Sequence, residues 1–420
     1  MPGDEQRPWK LRAARALLAA LWLLAAASTA RLVHYAMRAA NETTESFAAY
    51  YTASRLAREG RFDARVYDDA FFEKEVERDA PGVRDVFRPN TPVMPLLLLP
   101  AGNAGYGAAR RAAATANLLA LGAAVFLLTC PLGRFGRPLA IAAAAAWPGV
   151  LANFHLMQAY LLLLLLATLF LEGLKRRRVA AAGIALGALL SLKVAVPHLW
   201  LIGLARCRIR LLFWAAGAAL ALAASSLAWS PAAAWTAWAR MAARAPFRPE
   251  VAVAGYQSQS SLFRHLFTFD ARWSPFPLAD APALAAALTV TGALVVAGLV
   301  TLLAMKDVRG DVAVAAAVAA SLASGPLSLD YHYALALLPL AVLWADISQR
   351  KDRPGAALLL VAAILLALPH GRLDAPGLAA LAAYPKLYGT WLLLALSFRA
   401  VRARGNDNHL RSRRCTSPHT

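Results

Sequence analysis

Long apolar blocks separated by short basic clusters constrain this chain more than any other feature. Blocks of about 20 apolar residues recur along it, and one helix of that length crosses the ~30 Å hydrocarbon core of a bilayer. Of the 420 residues, 59% are hydrophobic and 16% are charged, whereas soluble domains are about 45–50% apolar and about 25% charged. A water-soluble enzyme, a disordered chain and a fibrous repeat are therefore excluded, and an all-α polytopic membrane protein is predicted.

The basic clusters indicate how the helices are oriented. The net charge of +20 would suit a nucleic-acid partner, but most Lys and Arg residues lie between apolar blocks, as the positive-inside rule expects of cytoplasmic loops. Placing every cluster in the cytoplasm predicts twelve crossings, both termini inside and no nucleic-acid partner. The segment 179–206 is too short for two full spans, so a ten-crossing arrangement stays open. The predicted helices lie near 11–33, 109–131, 137–153, 156–173, 179–193, 195–206, 210–229, 283–305, 311–327, 331–348, 355–369 and 380–399.

This topology predicts one transmembrane domain over residues 1–402 with two long outer loops, 34–108 and 230–282. The polar, basic segment 403–420 is predicted to be a disordered cytoplasmic tail. An apolar stretch bounded by prolines, Pro92–Pro100, is too short to cross and suggests a re-entrant or interface-lying segment. No CxxC or Cys/His spacing indicates a metal site, so neither a metal nor a cofactor is expected.

The polar residues that interrupt the apolar pattern share the outer side in this topology. A polar side chain at membrane depth is expensive, and is a functional-site hypothesis by default. Other interpretations stay open, because Glu42 and Glu45 could be solvated loop acids and Lys193 could extend toward the interface. The outer set comprises Glu42, Glu45, His155, Gln158, Lys193, His198, Gln259, Arg264, Asp330, His332, His370 and Asp374.

The order of several short motifs resembles that of glycosyltransferase family 87 from about residue 40 to residue 350. The family pattern Phe-x-x-Tyr-Tyr-x-Ala after the first helix is matched by Phe47, Tyr50, Tyr51 and Ala53. Where the family has an acid before this Phe, the chain has Ser46, preceded by Glu45. Further matches are Gly60, Tyr67-Asp68, Pro92–Pro100, Met157-Gln158 before Leu161–Leu166, Leu192-Lys193-Val194, Gln259-Ser260-Ser261-Leu262 with Arg264, and Pro326–His332.

The resemblance implies a GT-C-like helical bundle of a bacterial inner (plasma) membrane. It also implies transfer of a hexose, typically mannose, from a polyprenyl-phosphate donor to a lipid or glycan acceptor at the outer face, with inversion. Such a reaction needs a carboxylate base, for which Glu45 is preferred and Glu42 held in reserve, and cations for the departing phosphate. The expected donor-phosphate and substrate residues are Lys193, Arg264, His332, Gln158, Gln259, Asp330, Tyr50 and Tyr51.

Two other classes of function remain as alternatives. A secondary transporter or lipid-carrier flippase would have broken helices in matching halves, and only one broken hairpin, near Lys193, is recognisable. A non-catalytic membrane scaffold is the third interpretation, and disordered outer loops would favour it.

Overall fold

Helices account for all the regular structure that the computed structural model describes, which covers residues 7–101 and 103–415. These residues form seventeen α-helices and seven short 3₁₀ helices, and apart from one isolated bridge between Asp270 and Ser274 they contain no β-structure. The predicted all-α class is confirmed. The α-helices are α1 Arg7–Ala39, α2 Phe47–Arg58, α3 Asp69–Asp79, α4 Tyr106–Thr129, α5 Gly136–Ala145, α6 Pro148–Leu156, α7 Tyr160–Lys175, α8 Val179–Leu192, α9 Leu199–Ala205, α10 Ile209–Ser226, α11 Ala232–Arg244, α12 Gln259–Phe267, α13 Pro282–Lys306, α14 Asp311–Ser324, α15 Leu337–Arg350, α16 Arg353–Ala367 and α17 Pro385–Cys415.

Several of these helices are long and apolar enough to cross a bilayer, so the chain is a multi-pass membrane protein. Three shorter apolar helices, α8, α14 and α16, accompany them. Gly377–Ala383 and Pro385–Arg404, which meet at a 61° bend, meet the same criteria only when taken together, as a broken span or a re-entrant loop. The number of crossings, twelve or ten, stays a prediction. The six segments that meet the length and composition criteria individually are Lys10–Ala39, Tyr106–Thr129, Gly136–Leu156, Ile209–Ser226, Pro282–Lys306 and Asp330–Arg350.

The Ala-rich helix α14 forms the centre of the bundle. Every residue from Asp311 to Ala323 is buried, and α14 packs against α9, α13, α15 and α17. Small side chains let helix backbones approach closely in a membrane protein, where dispersion contacts replace the hydrophobic effect as the driving force. By contrast, α10 and α13 expose large apolar side chains such as Leu220 and Leu294, as lipid-facing helices do.

The first outer loop folds into a layer that covers one end of the bundle. It contains α2 and α3, held together by Arg55, whose guanidinium pairs with Glu75 and Asp79 at 2.8 Å each. The proline-bounded segment forms two short 3₁₀ helices, Met94–Leu97 and Leu99–Ala101. This segment begins beside the end of α8, since the Thr91 hydroxyl donates to the carbonyl of Ser191 at 2.5 Å. The first loop is thereby attached to the broken hairpin.

The C-terminal helix α17 continues to Cys415, while 416–420 lie outside the described residues. The disordered tail over 403–420 stays a prediction. An electrostatic anchor fixes the start of this segment, because the Arg404 guanidinium bonds Asp307, Asp311 and Asp346 at 3.0, 2.7 and 2.8 Å. These carboxylates hold the start of the predicted tail against the ends of three helices.

Candidate active site

A cavity of about 580 Å³ opens where the two outer loops meet the ends of α6, α8 and the short 3₁₀ helix Asp330–Ala336. Its wall carries side chains from segments that are far apart in the sequence. The charged, polar and aromatic side chains among the lining residues are Glu45, Asp85, Arg88, Asn90, Gln158, Lys193, Arg248, Glu250, Tyr256, Arg272, Trp273, Tyr331 and His332. We call this space the outer cavity, after the predicted orientation of the two loops.

The carboxylate of Asp85 lies at the N-terminus of α2. One of its oxygens accepts the backbone N–H groups of Ser46 and Ala49 at 2.5 and 2.9 Å, and the other accepts that of Val86 at 2.9 Å. The first turn of a helix leaves such N–H groups without intrahelical partners and favours negative charge. Burial raises the pKa of the Asp85 carboxyl to about 6, although the three N–H groups oppose this rise. Asp85 therefore combines a fixed position with a pKa close to neutrality.

Lys193 presents its ammonium group between aromatic rings. Helix α8 ends at Leu192 and the backbone of Lys193 is extended, which directs the buried side chain away from the helix. Its Nζ donates to Oε1 of Gln158 at 2.9 Å and lies 4.7 Å from the ring centroid of Tyr160 and 5.4 Å from that of Tyr50. Ring faces attract cations. Within the described residues Lys193 forms no ion pair, so its charge is available to an anionic ligand.

Gln158 holds this arrangement in place. Met157, immediately before it, has a left-handed backbone with φ of 50°, which turns the chain sharply between α6 and α7. The Gln158 side-chain oxygen accepts from both Lys193 and the Tyr50 hydroxyl, and its backbone carbonyl accepts from the Asn117 side chain at 3.1 Å. The three segments around Lys193 are thus joined through one amide.

His332 lies in a stack of rings on the same wall. Its ring is 4.5 Å from Tyr331 and 4.2 Å from Tyr160, centroid to centroid. Nδ1 accepts the backbone N–H of Leu329 at 3.1 Å, so the neutral ring carries its proton on Nε2. His332 therefore offers one N–H donor that is not used by its own turn.

Arginines from both outer loops line the remaining wall. Arg88 pairs with Asp69 at 2.9 Å and lies 3.6 Å from Glu250, and Arg248 lies 3.2 Å from the same Glu250 oxygen. Arg272 adds a third guanidinium. The cavity as a whole therefore offers four cations and the three carboxylates Glu45, Asp85 and Glu250, a set that suits an anionic substrate and proton transfer.

The structure brings together some of the residues that the sequence nominated. Glu45, Gln158, Lys193 and His332 line the outer cavity, and Tyr50 lies behind its wall, bonded to Gln158. Their placement is an observation, and their roles stay predictions.

The other nominated residues lie outside this wall. Glu42 is exposed and lies 3.6 Å from His155. The Tyr51 hydroxyl donates to the carbonyl of Ala104 at 3.2 Å. Asp330 lies 3.5 Å from the ammonium of Lys386. Both remaining residues, Gln259 and Arg264, are buried on α12.

Helix packing explains why α12 does not face the cavity. The helix is amphipathic and packs against α13, where the Gln259 amide lies about 3.2–3.3 Å from the position that a Cβ at Gly292 would take. The Gln-Ser-Ser-Leu motif therefore faces the bundle. A motif gives the order of residues, but the face of the helix depends on its neighbours.

Sequence reasoning missed Asp85, Glu250 and the three arginines of the cavity. Asp85 is one of many charged residues in the first outer loop, and nothing in its local pattern separates it from the acids of α3. The only signal was its position shortly before the proline-bounded segment. Its contact with Ser46, 39 residues earlier, requires the folded loop.

The fold and the site together define the class of this protein. It is a multi-pass membrane protein in which carboxylates and cations are gathered in one polar cavity at an end of the helical bundle. A family model described as glycosyltransferase family 87 matches residues 89–329, which is more than half of the chain. The chain belongs to glycosyltransferase family 87 and is a glycosyltransferase, so the transporter and scaffold alternatives are set aside. Comparisons with curated proteins and with solved structures gave no match. Gln158 and Lys193 lie inside the matched range, whereas Glu45, Asp85 and His332 lie outside it.

Proposed function

We propose that this protein transfers a hexose from a polyprenyl-phosphate donor to a hydroxyl group of a lipid or glycan acceptor, and that this hexose is mannose. The reaction takes place in the outer cavity, at the outer face of a bacterial inner membrane. The observation that carries the proposal is the presence, in one cavity, of a fixed carboxylate, Asp85, and a lysine, Lys193, that has no acidic partner in the part of the chain that the structure describes.

Asp85 is the general base in this proposal, in place of Glu45. Its oxygen touches the backbone of Ser46, the position at which the family pattern has an acid, so a carboxylate from elsewhere in the loop occupies that place. A base works best when its pKa is close to the operating pH and its position is fixed, and Asp85 meets both conditions. Glu45 is exposed, which leaves its carboxylate solvated and less well positioned, and it remains the second candidate.

The phosphate of the donor binds at Lys193. As the acceptor oxygen attacks the anomeric carbon, its proton passes to Asp85 and the bond from that carbon to the phosphate oxygen breaks. The departing polyprenyl phosphate gains negative charge, which Lys193 and the Nε2–H of His332 stabilise. Preorganised donors at a developing charge are worth about 10²–10³ in rate per group. A single displacement of this kind inverts the anomeric centre.

Helix α11 offers a route for the isoprenoid chain. It follows the lipid-facing helix α10, and its Met241 lines the outer cavity. Trp238 on the same helix lies close to the first loop, with its indole N–H 3.5 Å from the carbonyl of Pro89. An apolar tail lying along α11 would bring its phosphate to the cavity mouth.

An in vitro assay with the purified full-length protein in lipid nanodiscs tests the proposal. Polyprenyl-phosphate-mannose and a nucleotide-activated mannose are supplied separately with a membrane lipid extract as acceptor, and incorporated mannose is measured. We expect transfer from the polyprenyl donor alone. Transfer from the nucleotide donor alone would refute the proposed donor class, and a product that keeps the donor's anomeric configuration would refute the single displacement.

A further inference from the structure

Helix α8 connects the outer cavity to a second cavity at the opposite end of the bundle. Lys193 follows its last residue, and Val179, its first, lines a space of about 1010 Å³. With 14 residues in the helix, the two ends are about 21 Å apart at 1.5 Å per residue. We call this second space the basic cavity, and the proposal below does not depend on the proposed function.

The basic cavity is strongly positive. It is lined by five basic side chains, Lys175, Arg177, Arg208, Arg210 and Arg309, and by one acid, Asp311. Asp311 is already neutralised, since it pairs with Arg309 at 3.0 Å and with Arg404 at 2.7 Å. Among the described residues, Arg177, Arg208 and Arg210 have no acidic partner. Lys175 pairs with Glu172 at 3.0 Å, so the surplus of positive charge rests on these three arginines.

The same turn occurs twice in the wall of this cavity. The pattern Gly-Leu-x-Arg-x-Arg followed by a β-branched residue appears at 173–179 and again at 203–209. In both copies the second-last residue before the new helix has a left-handed backbone, Arg177 with φ of 55° and Cys207 with φ of 46°. The last arginine donates its N–H to the glycine carbonyl five residues earlier, at 2.8 and 2.9 Å.

Close packing disfavours a larger residue at the glycine of each copy, most strictly at Gly173, whose neighbours include backbone atoms of Ala182. A Cβ at Gly173 would lie 2.9 Å from Ala182, and one at Gly203 would lie 2.7 Å from the side chain of Leu212, nine residues later in both cases. The repeated turn thus folds the following helix back tightly, and it brings the starts of α8 and α10 to one cavity. Neither N-cap residue, Arg178 or Arg208, makes a side-chain capping bond. The positive ends of two helices therefore add to the five basic side chains.

We propose that the basic cavity binds the phosphate headgroup of an anionic phospholipid from the leaflet beside it. Charge complementarity argues for a phosphate, and the surroundings argue for a lipid as its source. Ile209 and Val308, which line the cavity, are 76% and 85% exposed, and α10 continues with the exposed side chains of Phe213 and Leu220. An acyl chain would lie along these residues while the headgroup meets the arginines. Basic pockets between transmembrane helices bind anionic headgroups in this way.

Cys207 provides a probe of the cavity, because it is exposed and lies in the wall, whereas Cys130 is exposed elsewhere. In the full-length protein carrying Cys415→Ser, purified in a neutral detergent, the rate of maleimide labelling is measured separately at the two cysteines. Phosphatidylglycerol, phosphatidylcholine or inorganic phosphate is added. We expect phosphatidylglycerol to slow labelling of Cys207 at least about fivefold, because a headgroup held by the basic side chains covers the thiol, and to leave Cys130 unchanged.

A charge-removing variant, Arg208→Met with Arg210→Met, should lose this protection. The matched control, Arg12→Met with Arg15→Met, removes two exposed basic residues from the start of α1 and should keep it. Equal protection by phosphatidylcholine, or equal slowing of Cys130, would overturn the proposal because it would show a general micelle effect. Protection by inorganic phosphate alone would overturn the lipid as the source, and an unprotected Cys207 in the wild-type background would overturn the site.

Discussion

Asp85 is the residue on which the proposed chemistry depends, and three backbone N–H groups fix its carboxylate. Lys193 is its counterpart, held by one amide oxygen and surrounded by aromatic rings. The lysine could be nominated from the sequence, because a charge inside an apolar run is conspicuous. Asp85 could not be nominated from the sequence, because an acid among many other charged residues is not conspicuous. Its environment arises only when the folded loop brings it into contact with α2.

Replacing Asp85 by Asn should abolish most of the transfer activity. The Asn side-chain oxygen can still accept the N–H groups of Ser46 and Ala49, although its amide nitrogen cannot accept that of Val86, and the proton acceptor is lost. General-base catalysis contributes about 10²–10⁴ in rate, and we expect kcat to fall at least about 100-fold, with only a modest fall in melting temperature from the one lost hydrogen bond. Glu45→Gln and Glu42→Gln, measured in the same assay, serve as controls. Wild-type activity in D85N together with inactivity in E45Q would return the base to Glu45.

The pH dependence of the reaction provides a second check on the same group. The base acts when deprotonated, and burial raises the pKa of Asp85 to about 6. Below this pH the active fraction falls tenfold per unit, so kcat/KM should rise with slope one up to pH about 6. An acid limb centred near the ordinary aspartate value, about pH 4, would show that a solvated carboxylate is the base.

Lys193→Met keeps the length of the side chain and removes its charge. If the ammonium stabilises the departing phosphate, the rate should fall about 10²–10³-fold, with a larger effect on kcat than on KM. Lys74→Met, at an exposed lysine of α3 in the same outer layer, is the matched control and should be neutral. A K193M protein that transfers at more than half the wild-type rate would exclude this role.

At the scale of elements, the packing of α6 against the 3₁₀ helix Asp330–Ala336 positions one wall of the outer cavity. At Gly149 an added Cβ would lie 2.5 Å from the backbone nitrogen of Ala334 and 2.7 Å from the carbonyl carbon of Tyr333. The sequence predicted a helix over 331–348, but this 3₁₀ start precedes α15, which begins at Leu337. Hydropathy identifies an apolar block, whereas the place where its helix changes geometry depends on what packs against it.

Gly149→Ala should therefore damage the site from a distance. The new methyl group cannot be accommodated by a flexible side chain, because its neighbours are backbone atoms, and the turn that carries Tyr331 and His332 must shift. We expect a lower melting temperature, consistent with the 1–3 kcal/mol cost typical of overpacking, and a clear fall in activity because the wall of the site moves. Gly122→Ala is the control, since nothing lies within 4 Å of its added Cβ. Equal behaviour of the two variants would contradict this account of the wall.

At the scale of the whole molecule, hydropathy and charge were sufficient for the class of fold. The predicted helix 283–305 corresponds to α13, Pro282–Lys306, since a long apolar block with polar ends leaves a membrane helix little freedom. Agreement is poorer at the broken hairpin, where a helix is predicted over 195–206 and the structure has only the seven residues of α9. Which residues of the outer loops meet in a cavity depends on tertiary contacts that no local pattern encodes.

The proposed function requires that transfer occurs in a cavity open to the outer side of the membrane. Leu327 lines that cavity, is half-buried and has no assigned role. A single thiol is placed there by Leu327→Cys in a background in which Cys130, Cys207 and Cys415 are changed to Ser. The most direct measurement is the transfer rate after treatment with a membrane-impermeant thiosulfonate, in right-side-out and in inverted vesicles. We predict inhibition only in right-side-out vesicles and none in the cysteine-free parent. Inhibition only in inverted vesicles, or full activity after complete labelling of the thiol, would contradict the claim.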